Sequence, residues 1–140
     1  MARIESGNII NKRMFVFEHQ AHFENHIYQA VADEIQRRAL PVQIAVQKMK
    51  SGGMFMGTKE DVITITSAGF NPIYIITRTV GSYLYVSIVT MAIYDFSKVE
   101  NIFMTESINA FWSACLITLQ TALENLGLQE QPKRITGVDS

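Results

Sequence analysis

The chain has 140 residues, a formal charge of -1 and one cysteine. That length fits a single domain able to bury a core of its own. The charge balance supplies no clustered basic surface for nucleic acid or an acidic membrane, and lone Cys115 excludes an internal disulfide, which fits a reducing, cytoplasmic setting.

Charge is also scarce. Asp, Glu, Lys and Arg make up 18% of the residues, against about 25% in ordinary soluble domains. The deficit falls in two places: between Asp61 and Asp95 only Arg78 is charged, and between Glu106 and Glu124 no residue is.

In chain order, Met1 to Lys12 is polar and poorly patterned, and its start lacks the apolar core of a secretory signal. Met14 to Phe17 either opens the first helix or forms a short strand. From Glu18 to Leu40 the pattern predicts a helix: Phe23, Ile27, Val31 and Ile35 recur every four residues. Asp33 with Arg37, and Glu34 with Arg38, make acid-before-base pairs on its solvated side. Pro41 stops it.

Val42 to Lys50 fits two patterns. Alternation of Val42, Ile44 and Val46 reads as a strand, whereas Val42, Ala45, Val46 and Met49 fit a helical face; the strand reading is adopted. Ser51 to Gly53 turns the chain into a short strand, Met54 to Met56. Val62 to Thr66 is the next strand, and Ser67 to Pro72 a loop.

Ile73 to Met91 is the most informative stretch. Two runs rich in β-branched and aromatic residues flank Gly81-Ser82, with glycine where a type II′ turn requires positive φ. The turn sets the register: Val80 opposite Tyr83, Arg78 opposite Tyr85, Ile76 opposite Ser87, and Tyr74 opposite Val89. Ile73, Ile75, Leu84, Val86 and Ile88 form the better core face. The other face holds tyrosines around Arg78 and is still largely apolar, so both faces are expected to be covered. Thr79 to Tyr94 is uncharged, but it is shorter than the roughly 20 residues of a spanning helix and its composition suits strands. It is therefore read as hairpin, not membrane span.

Asp95 to Met104 is a connector. Thr105 or Ser107 caps the last helix, which ends at Gly127. Ile108, Phe111, Trp112, Cys115, Leu116, Leu119, Ala122, Leu123 and Leu126 cover one arc of it. The opposite arc, with Asn109, Ala110, Ser113, Ile117, Gln120 and Thr121, is polar without charge, although an exposed helix of this length ordinarily carries several Lys and Glu.

The expected fold is α+β: an antiparallel meander of about five strands, with a long N-terminal and a long C-terminal helix packed on it. Residues 1–128 form one domain and residues 129–140 a flexible tail.

Several chemistries have little support. Gly52 to Lys59 is glycine-rich, but its lysine follows threonine and a strand follows where a phosphate loop needs a helix. There is no Gly-x-Ser-x-Gly elbow, and Cys115 lies on an apolar helical face, where a thiol is inert. His19, His22 and His26, all the histidines of the chain, share one side if the helix is continuous, and imidazoles four apart can chelate one metal ion. Histidines bordering an apolar stripe account for the same pattern.

Two functional readings follow. The first is a non-catalytic, self-associating protein, an adaptor or accessory subunit, that makes protein contacts through Tyr74, Arg78, Tyr83, Tyr85 and Trp112. Interface cores are similarly poor in charge and rich in Tyr, Trp, Met and Arg. The second is a small-ligand or metal-binding protein, or an enzyme, using a pocket around Arg78 and the tyrosines or the histidine cluster. No cofactor, nucleic acid or membrane is expected.

Overall fold

A computed structural model describes residues 3–4, 9–51, 59–91 and 102–128. The short expected strand Met54 to Met56, most of the connector before the last helix, and the tail 129–140 lie outside these residues.

The elements in order are β1 (Arg3–Ile4), β2 (Ile9–Phe17), a 3-10 turn (Ala21–His26), α1 (Ile27–Arg37), β3 (Gln43–Ser51), β4 (Lys59–Thr66), β5 (Ile73–Val80), β6 (Tyr83–Met91) and α2 (Ile102–Asn125). They build one sheet in the order β1-β3-β4-β5-β6-β2. The five longer strands are antiparallel to their neighbours, and the two residues of β1 pair in parallel with the end of β3. The fold is the expected α+β arrangement, with two helices on an antiparallel sheet.

The β5–β6 hairpin has the register set by its turn: Val80 faces Tyr83, Arg78 faces Tyr85, Ile76 faces Ser87 and Tyr74 faces Val89. Gly81 has φ of 58°, while Ser82 is not among the positive-φ residues; this is the II′ pattern, whose twist suits the flanking strands. Val42 to Lys50 resolves as strand, paired from Gln43↔Thr66 to Lys50↔Lys59.

At the N-terminal end one alternative is resolved and one expectation corrected. Of the two readings of Met14 to Phe17 the strand holds: it completes β2, a nine-residue strand along β6. Phe15 and Phe17 are buried at alternate positions, the period-two pattern of a strand, but Asn11, Lys12 and Arg13 hide that pattern in the first half. The helix does not begin at Glu18. His19 has φ of 61°, which no helix accommodates, and residues 21–26 wind as a 3-10 turn before α1 starts. The amides of Gln20 and Ala21 both donate to the Ser82 carbonyl at 3.1 and 3.2 Å, which fastens this turn to the hairpin.

Both helices lie on one face of the sheet. Ile27, Val31 and Ile35 of α1 and Cys115, Leu119, Ala122 and Leu123 of α2 meet Ile63, Ile65, Ile73, Ile75, Leu84, Val86 and Ile88 in the main core. The Phe70 ring stacks on Phe111 at 4.7 Å and ties the β4–β5 loop to α2. On the opposite face, Met49, Val62, Tyr74, Val89 and Met91 form a smaller buried cluster.

The helices end alike. After α1, the Leu40 amide donates to Ile35 O and the Ala39 amide to Gln36 O; after α2, Leu128 donates to Leu123 O and Gly127 to Glu124 O. Each is a Schellman motif, with a left-handed residue just past the helix. Gly127 fills that position with φ of 84°, and Ala39 fills it with φ of 53°. The N-terminus of α2 differs from expectation. Thr105 and Ser107 lie inside the helix, and Ser107 Oγ donates back to Phe103 O at 2.8 Å, the hydrogen bond a serine makes within a helix when it is not capping one.

Candidate functional site

The hairpin divides the predicted contact residues. Tyr74 is buried in the smaller cluster, and that burial pushes its phenol pKa up; it offers no surface to a partner. Tyr85 is half-buried, and Tyr83 is 45% exposed near Val80 at 71%. Tyr83 donates to Glu18 Oε1 at 3.3 Å. Arg78 does not stack among the tyrosines. It reaches sideways to Glu60 at 3.3 Å and donates to the Thr77 carbonyl at 3.1 Å. Trp112 is half-buried against the main core.

The Arg78–Glu60 contact marks a parting of the sheet. β4 and β5 pair at only three positions, Ile63↔Ile75, Thr64↔Tyr74 and Ile65↔Ile73. Beyond Ile63 and Ile75 the strands diverge and leave a cleft of about 330 Å³, closed on one side by Glu24, Asn25 and Tyr28. Its floor is Val46, Ile63 and Ile75, and its rim carries Glu60, Asp61, Thr77 and Arg78. Asp61 accepts a hydrogen bond from Lys48 at 2.8 Å, which raises the lysine pKa. The volume is at the lower bound for a small-molecule site. Glu60 is paired with Arg78 and Asp61 with Lys48, so Glu24 is the further carboxylate in the lining.

The histidines are not gathered into one site. His19 precedes the 3-10 turn, and His22 and His26 lie on either side of Phe23, with ring centroids at 4.3 and 5.9 Å from it. All three are exposed. Among the described residues, no group of three or more His, Cys, Asp and Glu side chains is placed to hold a metal ion.

Glu34, expected on the solvated side of its helix, is buried instead, at 2% exposure. Arg38 Nε and Arg37 each bond its carboxylate at 2.6 Å, and Asn125 of α2 donates to it at 3.2 Å. The hydrogen bond from Arg38 lowers the Glu34 pKa against the opposing effect of burial, with the charges of both arginines adding to the lowering. Arg38 also donates to Thr121 at 2.9 Å. The cluster joins α1 to α2; nothing in the i,i+4 spacing distinguishes it from a surface pair. The expected Asp33–Arg37 pair is replaced by Gln29 donating to Asp33 at 2.8 Å.

The last feature is the outer side of α2. Its inner arc is the one expected, but Ile102 and Phe103 are 64% and 80% exposed, and Ile117 is 48% exposed. By length and composition this helix could cross a membrane, and only 17% of its most apolar window is buried. The other long uncharged stretch, from Thr79 onward, is hairpin as far as Met91.

No known protein family matches the chain, and no curated protein matches it. Among solved structures it is similar to the open form of exocytosis-sensitive phosphoprotein pp63/parafusin, a phosphoglucomutase from Paramecium, with a TM-score of 0.51 and 9% identity over 87% of this chain. The chain spans 22% of the length of that protein, and the likeness is one of fold.

Proposed function

We propose that this chain is a non-catalytic, self-associating protein, an adaptor or accessory subunit, whose contacts are made by the outer side of α2 and the tip of the β5–β6 hairpin. The observation that carries this reading is the outer arc of α2: Phe103 and Ile117 are exposed on a helix with no charged residue between Glu106 and Glu124. A helix side that faces water permanently is normally charged, whereas this one exposes Ile102, Phe103 and Ile117 among small polar residues. Val80 and Tyr83 at the hairpin tip add a second, smaller patch. Light scattering of the full chain at micromolar concentration tests the proposal; a dimer or higher mass is expected, and a monomer overturns it.

A second reading is favoured by the cleft between β4 and β5. There a small cationic ligand sits over Val46, Ile63 and Ile75 with its charge toward Glu24. Titration with small primary amines, following amide NMR shifts of Thr77 and Asp61, tests it; no shift at millimolar amine ends that reading.

A further inference from the structure

The cleft between β4 and β5 is bounded by main chain as well as by side chains. In a two-residue hairpin turn the first residue's carbonyl accepts from the fourth residue's amide, so Val80 and Tyr83 are a hydrogen-bonded pair. Two and four residues on, so are Arg78↔Tyr85 and Ile76↔Ser87. The residues between them turn their N–H and C=O the other way. Ile75, Thr77 and Thr79 therefore point away from β6, toward β4. Ile75 meets Ile63 there. The same register would next join Thr77 to Asp61, and that pair does not form, although β4 extends back to Lys59 and β5 on to Val80.

Two side chains mark the gap. Arg78 donates to the Thr77 carbonyl at 3.1 Å, in the place of a neighbouring strand's amide, and also reaches Glu60 across the gap. Glu24 lines the helix side of the cleft with Asn25 and Tyr28. It is half-buried and forms no ion pair among the described residues.

We infer that the ligand of this cleft is an extended basic peptide segment, which adds to β5 at Thr77 and Thr79 and turns a lysine or arginine side chain toward Glu24. The inference rests on the second reading above, a cationic ligand in this cleft, and names its chemical class. A strand edge presents an N–H and a C=O at every second residue, and another main chain meets both at that spacing. A small amine has donors only and leaves the Thr77 and Thr79 amides without an acceptor. The stretch from Thr77 to Thr79 is about 7 Å at roughly 3.4 Å per residue, enough for about three residues of an added strand. Alternate side chains of that strand lie over Val46, Ile63 and Ile75, where a lysine stem packs and its charge reaches Glu24. Glu60 and Asp61 do not compete for that charge, because Arg78 and Lys48 hold them. Arg78 is 47% exposed, so its guanidinium is free to yield the Thr77 carbonyl to the incoming amide and keep Glu60. Among the described residues the outer edge of β3 is also unpaired from Gln43 to Gln47, but the charged side chain beside it is Lys48, which does not favour a basic segment.

Titration of the full chain with the blocked peptide acetyl-Thr-Val-Lys-Val-Thr-amide, followed by amide NMR, tests this. Shifts should centre on Thr77, Thr79 and Asp61. The Thr77 amide should exchange with solvent more slowly in the complex, while the amide of Ile75, already paired, should not change. The peptide should bind more tightly than n-butylamine, by roughly two- to tenfold for each main-chain hydrogen bond gained. Norleucine in place of the peptide's lysine, or Glu24→Gln in the protein, should each weaken binding about two- to fivefold, and the two together no more than either alone. If butylamine binds in the cleft as tightly as the peptide, or the bound peptide leaves Thr77 exchanging as before, this inference falls and the small-cation reading stands. A norleucine peptide that binds equally well, or shifts centred on Ile44 and Val46 at the β3 edge, overturns it too. Binding of neither probe at millimolar concentration overturns both.

Discussion

The two helix ends make a matched experiment. Both close in the same hydrogen-bond motif, yet the left-handed position holds Gly127 in one and Ala39 in the other. An L-residue in that conformation costs about 1 to 2 kcal/mol, while glycine gives back about 0.4 to 1 kcal/mol through the extra freedom of the unfolded chain. The difference is about 1 kcal/mol. Neither site adds a packing effect: Ala39 is exposed, and a Cβ built on Gly127 meets nothing within 4 Å. Ala39→Gly should therefore stabilise the protein by about 1 kcal/mol and Gly127→Ala destabilise it by a similar amount. In urea, with a slope of about 1 to 3 kcal/mol per molar, the midpoints should separate from wild type by roughly 0.5 M in opposite directions at unchanged slope. If Ala39→Gly is neutral or destabilising while Gly127→Ala is silent, the conformational account of both caps fails.

Three further outcomes are expected. Ser87 Oγ is buried and finds no hydrogen-bond partner among the described residues, so Ser87→Ala should stabilise by about 1 kcal/mol; a loss of stability in thermal or urea unfolding would mean the hydroxyl is satisfied. The Glu34 pKa is lowered from 4.5 in the folded chain, so its contribution is complete above that value and is lost as pH falls through the folded pKa. Glu34→Gln should be less stable at neutral pH and lose less on acidification than wild type, and parallel stability curves from about pH 7 to about pH 3 would refute this. Burial pushes the Cys115 thiol up to about 12, so iodoacetamide near pH 8 should label it only in unfolded protein; labelling of native protein at the rate of a free thiol would place it at the surface.

What could be read from the sequence follows the range of the forces. The hairpin was legible to the residue because a two-residue turn with glycine first dictates every pair behind it, from Val80↔Tyr83 to Tyr74↔Val89. The end of α2 at Gly127 was equally local. β2 was legible only at Met14 to Phe17, where a short strand was one of two readings, since its partner β6 lies about seventy residues away and its polar first half resembles an irregular terminus. The start of the first helix was lost to the backbone of His19, a residue whose side chain gives no warning of a left-handed conformation. Glu34 was misplaced because Arg37 and Arg38 make the same local pattern on a surface as they do beneath Asn125.

The two gaps in charge have different physical origins. The stretch around Tyr74, Val89 and Met91 lacks charge because those side chains are buried within the chain itself; of the apolar and aromatic side chains in the hairpin, Val80 and Tyr83 are exposed and Ile76 and Tyr85 half-buried. The stretch between Glu106 and Glu124 has no such explanation, because its outer arc is exposed. Contact energy should therefore concentrate on α2. Arg78 already has Glu60 as partner, and exposed ion pairs contribute about 0 to 1 kcal/mol, so Arg78→Ala and Tyr85→Ala should lower the mass seen by light scattering less than Ile117→Glu does. An assembly that survives Ile117→Glu and dissociates in Tyr85→Ala would reverse that ranking and return the interface to the strand face.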